Sequence, residues 1–258
     1  MKLGFIGTGT IATSVIEGLL KSKAKIGQIN ISTRSYKNSI KLRKKSKKIK
    51  AYSENQDIIN NSSIVFIGLL PKVASKELKI CQFKKSQTIV SFVSTLNIKS
   101  LKKLCNPVEK IVKAAPLPMA SDGLSPTIIY PNHKLIKSLF ELTGSVIVAK
   151  NENQNNHLWV MSSFMATYAS IINLLKKYLL KNKVNNEDAN KYLNIFLTGM
   201  LFEFNHQNFD LNKSIKSLQT RGGINEELLK RLQKDKFFKK IDINLKKIFL
   251  RLKKANDK

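Results

Sequence analysis

The first half of the chain alternates short apolar runs with segments whose apolar residues recur at helical spacing. Lys2–Ile6 has the length and composition of a buried strand, and the segment after the next turn places Ile11, Val15 and Leu19 four positions apart. That spacing predicts a helix over residues 11–21. Further strands are predicted at residues 28–32, 64–68, 88–93, 111–114, 127–130 and 145–148. Strands that alternate with helices predict an α/β fold with a parallel sheet covered on both faces.

The second half carries helical patterns only. Residues 151–183 contain neither proline nor glycine and predict one long helix, and a second helix is predicted from a cap at Asn185 to about residue 206. Shorter helices are predicted at residues 211–219, 225–233 and 241–254. We therefore predict an α/β domain at residues 1–150 and an all-helical domain at residues 151–258. Helices this apolar indicate that a second copy of the chain covers part of their surface, so a homodimer or larger homo-oligomer is expected.

Composition excludes several classes of protein. The chain has 258 residues, of which 42% are hydrophobic and 24% charged, which is enough apolar material for a core. Its two cysteines cannot form a disulfide framework, and no Cys or His spacing is typical of a metal site, so no metal is expected and a reducing, cytoplasmic setting is favoured. No uninterrupted apolar run approaches the roughly 20 residues of a membrane helix, so membrane spanning and membrane binding are not expected.

The formal net charge is +29, which in many proteins indicates binding to nucleic acid or another anionic surface. Only five of the 46 basic residues are arginine, however, and the lysines are spread over the whole chain. Proteins that read phosphates and bases favour the bidentate guanidinium of arginine, so nucleic-acid binding is not expected. Two interpretations of the lysine excess stay open: an AT-rich coding sequence, or attraction of anions that include a phosphorylated cofactor.

A glycine-rich turn joins the first predicted strand to the first predicted helix. Its sequence, Gly7-Thr8-Gly9-Thr10-Ile11-Ala12, has GxGxxA spacing. The first glycine permits a sharp turn, the second lets the backbone approach a pyrophosphate, and the alanine lets helix and strand pack closely. A pyrophosphate would then meet the free N–H groups at the helix N-terminus. These six residues are therefore candidate cofactor-binding residues.

The end of the second predicted strand bears on the choice of nicotinamide cofactor. NAD-specific sites place a carboxylate there to bind the ribose 2′-hydroxyl. This chain has Thr33, Arg34 and Ser35, followed by Lys37, with no carboxylate in that segment. Two hydroxyls and a guanidinium favour a 2′-phosphate. We expect NADP(H) to be the preferred cofactor and NAD(H) to be possible. A solvated surface role is the alternative for Arg34.

With these residues in view, the sequence resembles the pyrroline-5-carboxylate reductase family, over residues 1 to about 235 and in collinear order. The resemblance is carried by residues 4–12 and 32–35, by Leu69-Leu70-Pro71-Lys72-Val73, by the segment from Ala115-Pro116 through Gly123, and by Thr220-Arg221-Gly222-Gly223-Ile224-Asn225 at the place of the family's Ser-Pro-Gly-Gly loop. It implies a Rossmann-type dinucleotide-binding domain and a helical substrate and dimerisation domain. It also adds four residues to the cofactor-binding candidates: Leu69, Pro71, Ala115 and Pro116.

The resemblance also implies where substrate binds. Within the loop at residues 220–225, Thr220 and Asn225 are the catalytic candidates. The substrate-binding candidates are Gly222 and Gly223, whose N–H groups would hold a carboxylate, together with Arg221 and Tyr168. Alternatives stay open for each side chain: helix capping for the Thr and the Asn, a surface role for the Arg and core packing for the Tyr.

Departures from the family pattern concentrate at these substrate residues. Leu117 stands where the family has an asparagine, residues 163–168 keep only the tyrosine of a Gly-Ser-Gly-Pro-Ala-Tyr stretch, and Asn225 replaces a threonine. The function that the resemblance implies is NADPH-dependent reduction of a C=N bond in a small cyclic imine carboxylate, as in proline biosynthesis and hence amino-acid metabolism. The alternative is a noncatalytic NADP-binding regulatory protein that has lost the reductase activity.

Overall fold

One sheet organises the first half of the chain in this computed structural model, which describes residues 1–22, 25–206 and 208–256. The strands in the described residues are β1 (Lys2–Ile6), β2 (Gln28–Ser32), β3 (Ile49–Tyr52), β4 (Ile64–Ile67), β5 (Thr88–Ser91), β6 (Lys110–Ala115), β7 (Ser125–Tyr130) and β8 (Gly144–Val148). They lie in the order β3-β2-β1-β4-β5-β6-β7-β8. All neighbouring strands pair in parallel except β6 and β7. The predicted α/β fold class is confirmed, while β3 was not predicted.

Helices connect most of the strands and make up the rest of the described chain. Those of the first half are α1 (Thr10–Lys21), α2 (Tyr36–Lys45), α3 (Asn55–Asn60), α4 (Pro71–Lys79), α5 (Ile98–Leu104) and α6 (Lys134–Glu141), with a 3₁₀ helix at Pro118–Asp122. Those after β8 are α7 (Glu152–Met161), α8 (Phe164–Lys181), α9 (Asn186–His206), α10 (Leu211–Ser217), α11 (Ile224–Lys234) and α12 (Phe237–Asn256). The all-helical second half is confirmed.

The long helix predicted at residues 151–183 is wrong in one respect, because the structure divides it into α7 and α8. The break comes at Ser162, whose hydroxyl donates a hydrogen bond to the carbonyl of Trp159 at 2.7 Å. Serine side chains compete in this way with the backbone hydrogen bonds of a helix. The apolar spacing continues on both sides of the break, so the sequence pattern alone did not reveal it.

The central strands of the sheet are buried on both faces. In β4, Ile64 and Phe66 belong to one hydrophobic cluster, while Val65 and Ile67 belong to a second cluster on the opposite face. The ring of Phe66 also stacks on Phe5 of β1, with ring centroids 4.4 Å apart. Alternate side chains of a strand point to opposite faces, so a strand buried on both faces must be apolar throughout. This burial explains the uninterrupted apolar runs from which the strands were predicted.

Packing groups the described chain into two compact units. The first, called the sheet unit below, comprises Met1–Ser162 and the chain from Phe249 onward, and the second, the helical unit, comprises Ser163–Ile248. Helix α7 falls in the sheet unit because Leu158 and Trp159 pack against a small cluster that includes Ala115 of β6. The boundary predicted after residue 150 stays a prediction about domains.

The helical unit buries few side chains. Helix α8 has no buried residue, and α9 buries only Ala189 and Leu193. On α9, Tyr192, Ile195 and Phe202 are each more than 60% exposed. The predicted N-cap of α9 is confirmed, since the side chain of Asn185 accepts a hydrogen bond from the N–H of Asp188 at 2.9 Å.

Within Glu152–Lys181, one 18-residue window with a mean hydropathy of 1.4 is long and apolar enough to cross a membrane, by length and composition alone. No uninterrupted apolar run reaches this length, but uncharged polar residues separate the apolar ones here, so the segment was not detected from apolar runs in the sequence. Only 6% of the window is buried. An association surface between protein chains also exposes apolar helical residues of this kind.

Candidate functional site

The turn between β1 and α1 has a backbone that only glycine adopts readily. Gly7 has φ of +93°, and a Cβ added there would lie 2.7 Å from the carbonyl oxygen of Gly68. A side chain at this position would therefore meet both backbone strain and a steric clash. The carboxyl ends of β1 and β4 can approach closely at this point because neither Gly7 nor Gly68 has a side chain.

At Gly9, by contrast, the fold leaves room for a side chain. It is the N-cap of α1, no side chain caps the helix, and a Cβ added there would meet no heavy atom within 4 Å. The fold itself therefore does not require glycine at this position. The N–H groups of the first turn, at Thr10, Ile11 and Ala12, have no partner within the helix. Such a helix N-terminus favours a phosphate group.

Thr8 holds the turn against the end of β2. Its hydroxyl donates to the carbonyl of Ser32 at 3.2 Å, and its own carbonyl accepts from the side-chain amide of Asn38 at 2.6 Å. The turn is thus held against β2 and α2, and the residues predicted for the adenosine end of a cofactor lie between these two elements. Asn38 was not among the predicted residues, since a hydrogen bond between residues 30 positions apart leaves no local sequence pattern.

A cleft of about 260 Å³ opens in front of this turn. Six of the cofactor-binding candidates line it, namely Gly9, Thr10, Ile11, Ala12, Leu69 and Pro71, together with five residues that were not predicted: Gly68, Leu70, Phe92, Val93 and Ser94. The cleft lies at the carboxyl ends of β1, β4 and β5, where parallel α/β sheets bind ligands. The unpredicted residues lie at or just after the carboxyl ends of β4 and β5, so the strand ends were the signal that could have identified them.

Arg34 has a partner that the sequence did not predict. Its Nη1 lies 2.8 Å from Oε1 of Glu77, on α4, and this contact raises the pKa of the guanidinium. The side chain of Arg34 is 50% exposed and that of Glu77 is 14% exposed. The expectation that no carboxylate lies beside Arg34 was therefore wrong. It considered only the segment after β2, whereas Glu77 comes from another element.

Glu77 is held from a second side by Asn55, at the start of α3. The side-chain amide of Asn55 donates to Oε2 of Glu77 at 2.9 Å, and its carbonyl oxygen is buried without a hydrogen-bond partner among the described residues. Thr33 lies nearby, since its N–H donates to the carbonyl of Tyr52 at the end of β3. Ser35 is the N-cap residue of α2. The structure thus gathers Thr33, Arg34 and Ser35 at the ends of β2 and β3.

Ala115 and Pro116 are buried at the end of β6 and do not line the cleft. Two residues earlier, the fully buried Lys113 places Nζ 3.3 Å from Oε1 of Glu152 and 5.5 Å from the ring centroid of Trp159. Burial lowers the pKa of Lys113, and Glu152 opposes that change. The same carboxylate oxygen accepts the N–H of Ile98 at 3.1 Å, so this ion pair joins β6 to α5 and α7.

In the helical unit, the Gly-Gly loop precedes α11. Gly222 has φ of +75°, and its N–H donates to Oε2 of Glu226 at 2.8 Å. The N–H of Gly223 donates to the carbonyl of Thr220 at 2.8 Å. Both N–H groups expected to hold a substrate carboxylate therefore have partners within the loop. The N–H groups of the first turn of α11 remain without partners in the helix.

The side chain of Glu226 places a carboxylate against this loop. Its pKa is held below its ordinary value by the ammonium of Lys230 and by the N–H of Gly222. It was not predicted, although a glutamate three residues after a helix N-cap often accepts from the N-cap N–H; here it accepts instead from Gly222, the residue before the N-cap. The carboxylate shows that the loop geometry accepts an anion.

The candidate substrate side chains are exposed in the described chain. The side-chain amide of Asn225 donates to the carbonyl of Leu218 at 3.2 Å, and α11 has Gly223 as its N-cap without a side-chain hydrogen bond. The alternative that Thr220 and Asn225 cap this helix is therefore wrong. Arg221 is exposed, and Tyr168 on α8 is 44% exposed rather than packed in a core. Their assignment to substrate stays a prediction.

The described residues contain no group of three or more His, Cys, Asp or Glu side chains that could hold a metal ion. The histidines have other contacts. His133 caps α6, accepting from the N–H of Ile136 at 3.4 Å, and His157 stacks on Phe249 with ring centroids 3.9 Å apart.

Comparisons with known proteins agree with this arrangement. Residues 2–97 match the model of a family described as NADP oxidoreductase coenzyme F420-dependent. The chain is 23% identical over 248 residues to pyrroline-5-carboxylate reductase 2 of Bacillus subtilis, which covers 92% of this chain and 88% of that protein.

Two solved structures share the fold over nearly the whole chain. The 1-pyrroline-5-carboxylate reductase of Streptococcus pyogenes has a TM-score of 0.86 at 20% identity and covers 98% of each chain. The pyrroline carboxylate reductase of Plasmodium falciparum, solved with NADP bound, has a TM-score of 0.86 at 18% identity and covers 99% of this chain and 98% of its own. The comparisons therefore confirm the resemblance to the pyrroline-5-carboxylate reductase family that the sequence indicated.

Proposed function

We propose that the protein is an NADP(H)-dependent oxidoreductase that reduces the C=N bond of a small, cyclic imine carboxylate, as the pyrroline-5-carboxylate reductases do. The observation that carries the proposal is the open space around Gly9, at the N-terminus of α1. The fold tolerates a larger residue there, yet the chain keeps open space in front of an uncapped helix N-terminus. A dinucleotide pyrophosphate fits both the space and the unpaired N–H groups. NAD(H) is a second possible cofactor.

We assign each group of candidate residues a role in binding the cofactor. The turn from Gly7 to Ala12 binds the pyrophosphate, and Thr33, Arg34 and Ser35 bind the 2′-phosphate of the adenosine ribose. Leu69 and Pro71, which line the cleft, position the rest of the dinucleotide, and the buried Ala115 and Pro116 at the end of β6 act only as support for its nicotinamide end. When bound, the nicotinamide supplies the hydride. Because a cyclic iminium is already polarised, catalysis depends mainly on positioning and electrostatics.

For the substrate, we propose that the loop at residues 220–225 binds the carboxylate. Its N–H donors are those of the first turn of α11, since Gly222 and Gly223 have partners within the loop. Arg221 pairs with the same carboxylate, Asn225 and Thr220 hydrogen-bond to the reacting nitrogen, and Tyr168 contacts the ring.

A second function is favoured by two observations. The N–H of Gly222 already binds the carboxylate of Glu226, and the sequence departs from the family pattern at Leu117 and Asn225. These features favour the alternative of a noncatalytic NADP-binding regulatory protein. Such a protein binds NADPH without turning over any imine.

Steady-state NADPH oxidation with pyrroline-5-carboxylate and a panel of small cyclic imines separates the two functions. Turnover of any imine supports the reductase, and silence across the panel with intact NADPH binding supports the regulator. Asn225→Ala is expected to lower kcat/KM by about tenfold to a hundredfold while leaving NADPH affinity unchanged. Asn212→Ala, on the exposed surface of α10, is the matched control.

We also propose that the chain works in the cytoplasm as a homodimer or larger homo-oligomer, joined through the helical unit. The support is the apolar stripe on α9, where Tyr192, Ile195 and Phe202 are exposed on one helix face. An exchange of Ile195 and Phe202 for Glu is expected to give monomers in sedimentation velocity. Asn190→Glu, on the opposite face, should leave the oligomer intact. Equal sedimentation of all three proteins contradicts association through this face.

A further inference from the structure

Arg34, Glu77 and Asn55 form a connected group contributed by three different elements. The guanidinium of Arg34 contacts one carboxylate oxygen of Glu77 at 2.8 Å, and the side-chain amide of Asn55 contacts the other at 2.9 Å. Glu77 is therefore fixed in position, with its side chain 14% exposed. The group belongs to the same region as the cleft, because α4, which carries Glu77, begins at the cleft residue Pro71.

We propose that Glu77 is a specificity-determining residue that reduces the preference for NADP(H) and allows the chain to use NAD(H) as well. The inference rests on the proposed binding of a nicotinamide dinucleotide and specifies how that site distinguishes the two cofactors.

Glu77 changes the charge that a bound 2′-phosphate meets. The guanidinium of Arg34 already contacts the carboxylate of Glu77. A 2′-phosphate bound to the same guanidinium is therefore separated from that carboxylate by the width of one guanidinium at most. Part of the positive charge that attracts the phosphate is already neutralised by the ion pair, and the phosphate meets a negative charge as its neighbour. Arg34 without Glu77 would favour NADPH by about a hundredfold through two charge-assisted hydrogen bonds.

Glu77 also provides a hydrogen-bond acceptor for the ribose of NADH. NAD-binding sites use a carboxylate to accept the hydrogen bond of the ribose 2′-hydroxyl, and they take it from the end of the second strand. This chain has no carboxylate in that segment, but Glu77 brings one to Arg34, which lies two residues after β2. The same residue that disfavours the phosphate can therefore bind the hydroxyl.

The test compares NADPH and NADH dissociation constants, measured by titration calorimetry, in the wild type and in Glu77→Gln. Glutamine removes the charge and keeps one acceptor oxygen, for Arg34, while its NH2 group can donate to the unpartnered carbonyl oxygen of Asn55 once that side-chain amide is flipped. We expect the wild type to prefer NADPH by tenfold or less, and the variant to raise that ratio by about fivefold, with tighter NADPH and weaker NADH binding.

Controls separate the possible failures. Glu54→Gln removes a carboxylate that raises the pKa of Arg34 through its charge alone, so it should change the ratio less than Glu77→Gln does. A wild-type preference above tenfold overturns the inference even if the variant does not fold, and so does an unchanged or lowered ratio in a folded variant. Absence of binding to either cofactor in the wild type instead contradicts the proposed function.

Discussion

The two units of this chain solve the problem of burying apolar side chains in different ways. In the sheet unit, Phe5 and Phe66 are fully buried and stack against each other. In the helical unit, α8 buries no residue, and Phe202 on α9 is 64% exposed. The sheet unit therefore stabilises itself, whereas the helical unit exposes apolar surface of the kind that association between copies removes from water.

The largest expected effect is a difference in stability between the two units. Phe66→Ala removes a fully buried ring and is expected to lower the free energy of unfolding by about 3–5 kcal/mol. Phe202→Ala is expected to cost less than about 1 kcal/mol in a dilute sample, because its ring has little to lose. Urea unfolding monitored by circular dichroism measures both. Equal losses would contradict the comparison.

A smaller effect is expected at the buried ion pair. Glu152→Gln leaves Lys113 buried without a charged partner and should lower the free energy of unfolding by about 2 kcal/mol, below the range for a fully buried pair because Glu152 is 30% exposed. Glu141→Gln, whose surface pair with Lys137 lies on α6, is the matched control, with an expected change under about 0.5 kcal/mol. A loss at Glu141 as large as that at Glu152 would contradict this account.

The same lysine makes stability depend on pH in the alkaline range. Burial lowers the pKa of Lys113 in the folded protein below its ordinary value of 10.5, so the unfolded chain binds more protons between the two values. The free energy of unfolding contributed by this group therefore rises as the pH rises through that window. Lys113→Met should lack this part of the pH dependence. Superimposable stability–pH profiles of wild type and variant would contradict it.

The smallest expected effect leaves stability unchanged and concerns the two cysteines of the sheet unit. Cys105 is fully buried, and burial raises the pKa of its thiol to about 12. Cys81 is partly exposed, with a pKa that burial also raises. A thiol reagent at neutral pH should modify Cys81 slowly and Cys105 only after unfolding, as peptide mapping would reveal. Equal labelling of Cys81 and Cys105 in the folded protein would contradict the burial of Cys105.

The sequence predicted those features that depend on local spacing. The turn from Gly7 to Ala12 follows from glycines at fixed positions, and the buried strands follow from apolar runs. Strand β3 was missed because Ile49–Tyr52 is short, contains a lysine and follows a lysine-rich helix, so it does not stand out as an apolar run. The contact of Arg34 with Glu77 and the burial of Lys113 could not be predicted, because each depends on elements that are distant in sequence and close only after folding.

The substrate loop illustrates the same limit. Sequence spacing placed a Gly-Gly turn before a helix, and the structure has α11 beginning there with Gly223 as its N-cap. Which N–H groups of that turn are available depends on the hydrogen bonds of Gly222 to Glu226 and of Gly223 to Thr220. Such competition between an internal carboxylate and a ligand is decided by geometry rather than by residue type.

The central claim is that the space in front of Gly9 holds a dinucleotide pyrophosphate, and calorimetric titration of NADPH into wild type and Gly9→Ala tests it directly. The added Cβ meets no protein atom, so the melting temperature should stay nearly unchanged, while NADPH affinity should fall by at least about tenfold. Gly27→Ala, where a Cβ makes an ordinary contact with Met1, is the control and should bind as the wild type does. Equal affinity in wild type and Gly9→Ala, or no heat with NADPH or NADH in the wild type, would contradict the account.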